Sequence, residues 1–479
     1  MAERTMAEDH ARLATTLEKV ATLASEFHSG LAERPAAARY DADPWQDRLD
    51  ESGQGADAAI DAFAGRIMPH LSGSVGPRYL GFVTGGVTPA ALAGDWLAAA
   101  VDQNLAMPGD SIATQVSLQA LGWILDLFGL PRREFDGCFT TGATASNFLS
   151  LVVARQWAGE ADGISPADTG CEGASTLRVF SATPHASFIK VMGLTGLGRD
   201  RVRAIATLPE REAMDPADLD WLLATAGPGP KMVVASAGTV STTDFDDLAR
   251  VAEICRTHGA WLHVDGAFGI FTRCVPSLAH LAAGLELADS ITGDAHKWFN
   301  VPYDSGFFLT RRIDLLERAC GVEAAYLQSG GSEPRFIGRG LECSQRFRAL
   351  PLWLTLKAYG RKGATAVVES CCAHAGALGE WIDGTPEFEL LAPVNLNVVI
   401  FCAVAPAGRD AAAFNKALLA RLNAGGKAFM TPGEFAGRKG IRAAFTNWMT
   451  DETDVSLVVD ALRDAWHKTK DQAEGDASP

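Results

Sequence analysis

Ser290-Ile291-Thr292-Gly293-Asp294-Ala295-His296-Lys297-Trp298-Phe299-Asn300-Val301-Pro302 sets a lysine directly after a histidine, inside a run of small and apolar residues. Strand-like residues precede the pair, and a loop broken by Pro302 follows it. Lysine is rarely buried without a partner. Held at a strand end in surroundings of low dielectric, its amine loses part of its preference for the charged form. It then becomes a nucleophile able to form a Schiff base with an aldehyde. Alone, a His-Lys pair reads first as a surface lysine whose stem lies over apolar neighbours. The rest of the chain turns that reading.

Upstream, strand-like and helical stretches alternate. The strand candidates are Arg178–Ser181, Arg203–Ala206, Met232–Ala235, Trp261–Val264, Asp289–Thr292 and Gly306–Thr310, with helices between them such as Asp247–His258. This rhythm predicts an α/β domain with a mostly parallel central sheet, whose ligands sit at the carboxyl ends of the strands. His185, Ser236, Asp265 and Lys297 all fall at or just beyond such ends. Earlier still, Gly137-Cys138-Phe139-Thr140-Thr141-Gly142-Ala143-Thr144-Ala145-Ser146-Asn147-Phe148 reads as a short strand running into a helix through Trp157. Backbone N–H groups at that helix start, with the threonine hydroxyls, form a phosphate cradle, although ordinary helix caps look similar.

Residues 1–75 read as two amphipathic helices around a linker containing Pro35, Pro44 and the Ser52-Gly53-Gln54-Gly55 turn. Such an arm is too thin to fold alone and must pack on the body or on a second subunit. The loop Gly76–Gly86 interleaves glycine with Tyr79 and Phe82, which suits a pocket wall. Pro89 then opens a helix to about Val101, and residues 114–129 form another. Beyond Lys297, Tyr326 lies in a Gly/Ser-rich loop of the kind that closes over a site. A helix over Leu352–Tyr359 leads into alternating helix and strand, with Asn395–Phe401 and Gly440–Phe445 strand-like. The tail Lys468–Pro479 is polar and reads as disordered. The division expected is a helical arm over 1–85, a large α/β domain over 86–340 and a smaller α+β domain over 341–479.

Composition narrows the class. A chain of 479 residues, 47% apolar and 21% charged, is that of a soluble multidomain protein. A net charge of −16 argues against nucleic acid or an anionic membrane as the main partner. No basic-then-apolar leader opens the sequence, and no apolar run is long enough to span a bilayer. Nine cysteines without regular spacing indicate reduced thiols in a cytoplasmic enzyme. The absence of CxxC and HExxH gives no support for a metal site.

Taken together, five motifs carry a resemblance: Thr141-Gly142-Ala143-Thr144-Ala145-Ser146-Asn147, Thr183-Pro184-His185-Ala186-Ser187-Phe188-Ile189-Lys190, Gly238–Leu248, Trp261-Leu262-His263-Val264-Asp265-Gly266-Ala267-Phe268 and Asp294-Ala295-His296-Lys297-Trp298. From about Gly76 onward the chain resembles the group II pyridoxal-phosphate-dependent amino-acid decarboxylases. That resemblance implies fold type I, the aspartate aminotransferase-like fold, with pyridoxal 5'-phosphate as cofactor. It implies that Lys297 is the Schiff-base lysine with His296 beside it. Asp265 would pair with the pyridine nitrogen, Ala267 would lie against one ring face and His185 would stack on the other. Ala143, Thr144 and Ser236 would serve the phosphate. Asp294 stands where some relatives carry Asn, which weakens its phosphate contact, and Asn300 is a supporting candidate. Tyr326 matches the mobile-loop tyrosine that returns a proton to the substrate carbon; relatives that make aldehydes commonly carry Phe there. Thr84 and the loop Gln103-Asn104-Leu105 match segments that reach a neighbouring subunit's site, which implies a homodimer.

The activity expected is decarboxylation of an L-amino acid to its amine. The rivals are another enzyme of this fold (aldehyde synthase, aminotransferase or carbon–sulfur lyase) and a silent scaffold protein, which would be expected to lose Lys297 or Asp265. Tyr79, Phe82, Thr84 and Leu105 suggest an apolar or aromatic side-chain pocket. An acidic or diamino substrate is the alternative. Glutamate would ask for a basic group, for which Arg78 is the nearby candidate beside its reading as a solvated loop arginine. Arg346 is open between substrate contact and loop shaping, and Gln345 stands where the family often has a second Arg.

Overall fold

The computed structural model describes residues 6–37, 48–105, 107, 109, 111–323 and 334–475. The arm comprises α1 (Met6–His10), α2 (Leu13–Ser29) and α3 (Ala56–Arg66), none of which buries a residue fully. The glycine-rich loop then leads into α4 (Pro89–Val101), where the Thr88 side chain accepts the Ala91 N–H and Pro89 fills the first turn. Next come α5 (Ala113–Phe128), β1 (Asp136–Thr140), α6 (Ala143–Ala161) and the short α7 (Pro166–Thr169).

From there strand and helix alternate: β2 (Arg178–Ser181), α8 (Ala186–Leu194), β3 (Val202–Ala204), α9 (Pro216–Thr225), β4 (Lys231–Ser236), α10 (Leu248–Thr257), β5 (Trp261–Asp265), β6 (Ser290–Gly293), α11 (Ala295–Trp298), β7 (Gly306–Thr310) and α12 (Ile313–Cys320). The sheet order is β1-β7-β6-β5-β4-β2-β3. The four pairs from β3 to β6 are parallel, and β7 runs antiparallel to both neighbours. Strands covered on both faces read as continuous apolar runs, and every residue of β4 and β7 is buried. The carboxyl ends of β2, β4, β5 and β6 therefore open on one edge, where the site forms.

The second unit is a four-stranded antiparallel sheet of order β10-β11-β9-β8, built from β8 (Phe388–Leu390), β9 (Val398–Ala403), β10 (Thr431–Phe435) and β11 (Arg438–Ala444). It is joined to the large sheet by α13 (Ala349–Asp383) and backed by α14 (Ala411–Ala424) and α15 (Glu452–Gly475). The sequence suggested a helix ending near Tyr359. The helix does break at Gly360 (φ 60°, ψ −164°), a conformation glycine adopts at little cost, and a second helical stretch follows at once to Asp383.

Candidate active site

A cavity of about 910 Å³ opens at the carboxyl edge of the large sheet, within the size range of small-molecule sites. Its walls include Ala143, Thr144, His185, Ser236, Asp265, Ala267, Asp294, His296 and Lys297, so the structure gathers residues that lie up to 154 positions apart in sequence. The amine of Lys297 lies 3.1 Å from Asp294 Oδ2 and 5.5 Å from the centre of the Phe268 ring. Asp294, named from the sequence as a residue whose phosphate contact is weakened, instead pairs with the lysine. Asp294, 3% exposed, also accepts the Ala143 N–H through Oδ1 at 2.5 Å, and its Oδ2 lies 3.6 Å from His296 Nε2. It caps α6 and counters the lysine charge, whereas a carboxylate and a phosphate repel. His296 loses hydration on burial, which lowers its pKa against the opposing pull of Asp294.

The Lys297 backbone is fixed from behind. Asn300 is fully buried, with Oδ1 accepting the N–H groups of Gly86 (2.7 Å) and Trp448 (3.1 Å). Its Nδ2 donates to the carbonyls of Lys297 (3.4 Å), Trp298 (3.1 Å) and Thr446 (3.0 Å). One amide thus ties the lysine segment, the glycine-rich loop and the second unit together. Gly85 packs so closely that a Cβ there would come within 2.1 Å of the Lys297 carbonyl oxygen.

Asp265, also in the cavity wall, is held at the end of β5. Its Oδ2 accepts from Asn147 Nδ2 (2.9 Å) and its Oδ1 from the Ala267 N–H (3.2 Å). His185 caps α8 through its ring, which accepts the Ser187 N–H at 3.2 Å. Desolvation by the cavity wall lowers its pKa, partly offset by Asp265. Ser236 is pinned through its N–H to the buried carboxylate of Asp246 at 2.7 Å.

The apolar part of the lining is shared: Phe429, Met430 and Pro432 come from the second unit, and Phe82, Val83 and Val240 come from outside it. Tyr79 stacks on Phe429 with ring centres 4.7 Å apart. Gly81 makes this possible, since a Cβ there would lie 2.3 Å from the Phe429 ring. Tyr303 lies against the His296 ring (4.4 Å) with its hydroxyl 3.2 Å from Thr84 Oγ1. Thr84 thus stands beside this chain's own lysine segment. Leu105 is buried and pairs its N–H with the Gln345 carbonyl, away from this chain's cavity. Tyr326 lies outside the described residues.

The remaining arginines sort cleanly. Arg78 is a structural clamp, bonded to Asp454 (2.7 Å) and to the carbonyls of Lys427 and Ala32. Arg346 pairs with Asp95 at 2.6 Å. Neither lines the cavity. Arg442 does: it reaches in from β11, 5% exposed, donating to the carbonyls of Val240 and Phe82. Its Nη2 is buried without a hydrogen-bond partner. Burial lowers its pKa to about 10, so it stays cationic at neutral pH.

The model of the pyridoxal-dependent decarboxylase conserved domain matches residues 45–404. The chain belongs to this family. This decarboxylase is 27% identical to tryptophan decarboxylase 1 of Oryza sativa subsp. japonica, across 95% of this chain and 92% of that protein. It is 24% identical to phenylacetaldehyde synthase of Arabidopsis thaliana, across 87% and 86% of the two chains. The crystal structure of Oryza sativa TDC with PLP and tryptamine superposes with a TM-score of 0.89 at 25% identity, covering 96% of this chain and 98% of that one. The chain is accordingly a pyridoxal-phosphate-dependent amino-acid decarboxylase of α/β fold. The residues present fit the cofactor: an amine for its aldehyde, an anchored carboxylate for its ring nitrogen, and the start of the 19-residue α6 at the cavity wall for its phosphate.

Arg442, Phe429, Tyr303, Asn147 and His263 were not singled out from sequence. Arg442 carried one local signal, a lone charge inside the strand-like run Gly440–Phe445. Phe429 carried none.

Proposed function

We propose that the chain decarboxylates an aromatic L-amino acid to its amine, as a homodimer in the cytoplasm. The observation that carries the substrate class is the cavity itself. Phe82, Val83, Val240, Phe429, Met430 and Pro432 supply an apolar wall, and Arg442 supplies a buried cation whose bonds go only to backbone carbonyls. One unpaired cation suits one carboxylate, the one to be lost. A glutamate side chain would need a second, and Lys297 is already paired with Asp294.

The shared cavity supports roles for the residues that line it. Pyridoxal phosphate supplies an aldehyde that holds the substrate amine and a ring that accepts the electron pair left when carbon dioxide departs. Lys297 would hold the aldehyde through its amine. Asp265 would hold a proton at the ring nitrogen, Ala267 and His185 would hold the ring, and Ala143, Thr144 and Ser236 would hold the phosphate, with Asp294 and His296 setting the charge around the lysine. Arg442 orients the substrate carboxylate, which selects the bond to be broken. Tyr79, Phe82 and Thr84 shape the side-chain pocket, with Leu105 serving a partner's site. Tyr326 returns the proton to the α-carbon, which separates this reading from an aldehyde synthase.

The dimer reading is supported by the arm. Val20, Leu23, Phe27, Ile60, Phe63 and Met68 line an apolar groove on helices without a fully buried residue, a face suited to a second copy. All nine cysteines are free, in keeping with a reducing compartment, and no described helix is long and apolar enough to cross a membrane. The three units are the arm over 1–85, the cofactor domain over 86–340 and the small domain over 341–479.

The test is mass spectrometry of products from the cofactor-loaded protein with a pool of L-amino acids. The expected product is an amine lighter than an aromatic substrate by carbon dioxide. An aldehyde or keto acid as sole product overturns the reaction, and an amine derived from glutamate or a diamino acid overturns the substrate class.

A further inference from the structure

β5 carries Trp261, His263 and Asp265 at alternate positions, so the three side chains share one face of the strand. In the neighbouring β6, Ser290 sits in register with His263 and Thr292 with Asp265. Asn147, in the second turn of α6, packs over them. All except the partly exposed Asp265 are essentially buried, and His263, Ser290, Thr292 and Asn147 are each 0% exposed.

These side chains form one continuous chain of hydrogen bonds. Trp261 Nε1 lies 3.0 Å from Ser290 Oγ, Ser290 Oγ 2.9 Å from His263 Nδ1, and His263 Nε2 3.0 Å from Asn147 Oδ1. Thr292 Oγ1 lies 2.8 Å from the same Asn147 oxygen, and Asn147 Nδ2 lies 2.9 Å from Asp265 Oδ2. The direction of every bond is fixed by its ends. An indole only donates and a carboxylate only accepts. Asn147 must therefore turn its NH₂ to Asp265 and its oxygen to His263 and Thr292. His263 must then carry its proton on Nε2, leaving Nδ1 to accept from Ser290. Burial lowers the His263 pKa to about 4, which keeps the ring neutral and this single tautomer in place. Five donors thus point the same way, and their dipoles add at the carboxylate.

We infer that Asn147 and His263 are positioning residues for Asp265: the Trp261–Ser290–His263–Asn147 relay, with Thr292, fixes the orientation and charge of the carboxylate that holds the ring nitrogen protonated. The inference rests on the proposed role of Asp265. Neither Asn147 nor His263 lines the cavity, so both act through that carboxylate. Truncating Asn147 leaves Asp265 Oδ2 without its donor and strands the His263 N–H and the Thr292 hydroxyl in the interior, where unpaired polar groups are costly.

The test is ¹⁵N NMR of enzyme loaded with pyridoxal phosphate labelled at the ring nitrogen, with cofactor dissociation constants from absorbance titration. Asn147→Leu and His263→Phe should move the ring-nitrogen signal from the protonated toward the neutral position and weaken cofactor binding about tenfold, with Thr292→Val and Ser290→Ala doing so to a smaller extent. Asp265→Asn serves as the reference. If it moves the signal while folded Asn147→Leu and His263→Phe leave both signal and affinity unchanged, the relay is overturned and the role of Asp265 stands. If Asp265→Asn itself leaves the signal unchanged, the role of Asp265 fails and takes the relay with it. Should Asn147→Leu and His263→Phe not fold, Ser290→Ala and Thr292→Val decide, and unchanged signals in both overturn the inference.

Discussion

Replacing Arg442 by methionine keeps much of the buried stem and removes the guanidinium that reaches the cavity. In the wild-type chain that group spends two of its nitrogens on the Val240 and Phe82 carbonyls and keeps Nη2 unpaired. A charge-assisted hydrogen bond to a substrate carboxylate is worth about 1.5–3 kcal/mol. Its loss should therefore lower kcat/KM by about 10- to 150-fold, at about 1.4 kcal/mol per factor of ten. The same substitution also loosens the Phe82 loop, so activity alone does not isolate the carboxylate. The discriminating assay titrates the cofactor-loaded enzyme with the amino acid and, separately, with the amine product, which has no carboxylate. The amino acid should weaken by the full factor and the amine by no more than about threefold. Equal weakening of both ligands would refute the assignment and leave Arg442 as a brace for the loop.

Three further outcomes are expected. Asn300→Leu deletes five hydrogen bonds at a fully buried position with φ 51°, so it should destabilise the fold by about 4 kcal/mol or more; a loss below about 1 kcal/mol in chemical denaturation would contradict its role as a tie. Burial raises the Asp246 pKa from 3.8 to about 6, so its contribution to stability is fully present below pH 3.8 and is lost as pH rises through 6. Relative to Asp246→Asn, the wild type should lose about 3 kcal/mol between pH 3 and pH 7 at about 1.36 kcal/mol per pKa unit, and a pH-independent difference between the two denaturation series would count against it. Tyr326→Phe should divert product from amine toward aldehyde, read by mass spectrometry; amine alone would remove the tyrosine from proton return.

The centre of the large sheet was legible because strands such as β4 and β7 are sealed on both faces, which writes them into the sequence as unbroken apolar runs such as Met232–Ala235. The second sheet was only half legible. β10 reads Thr-Pro-Gly-Glu-Phe, a turn by composition, and proline is tolerated there because β10 is an edge strand. Gly360 does end a helix, but a second one follows it at once with no loop, which composition does not announce. Within the site, residues at the strand ends were legible because topology alone brings them together. Arg442 and Phe429 were not, because they reach the cavity from another unit, and nothing local in sequence announces a contact with Phe82 or Val240. Asn147 sat inside a motif read for its backbone, while its side chain turns inward to the sheet.

Gly81 and Phe429 occupy one space, with no room for even a methyl group between them. A side chain can be gained at position 81 only if the ring at 429 shrinks or moves, so the two positions are bound to change as a couple. Such an exchange would transfer ownership of that wall from the second unit to the glycine-rich loop while Lys297, Asp265 and Arg442 stayed as they are. On the proposed assignment, paired changes at this wall would reshape the side-chain pocket and leave the groups proposed for the chemistry in place.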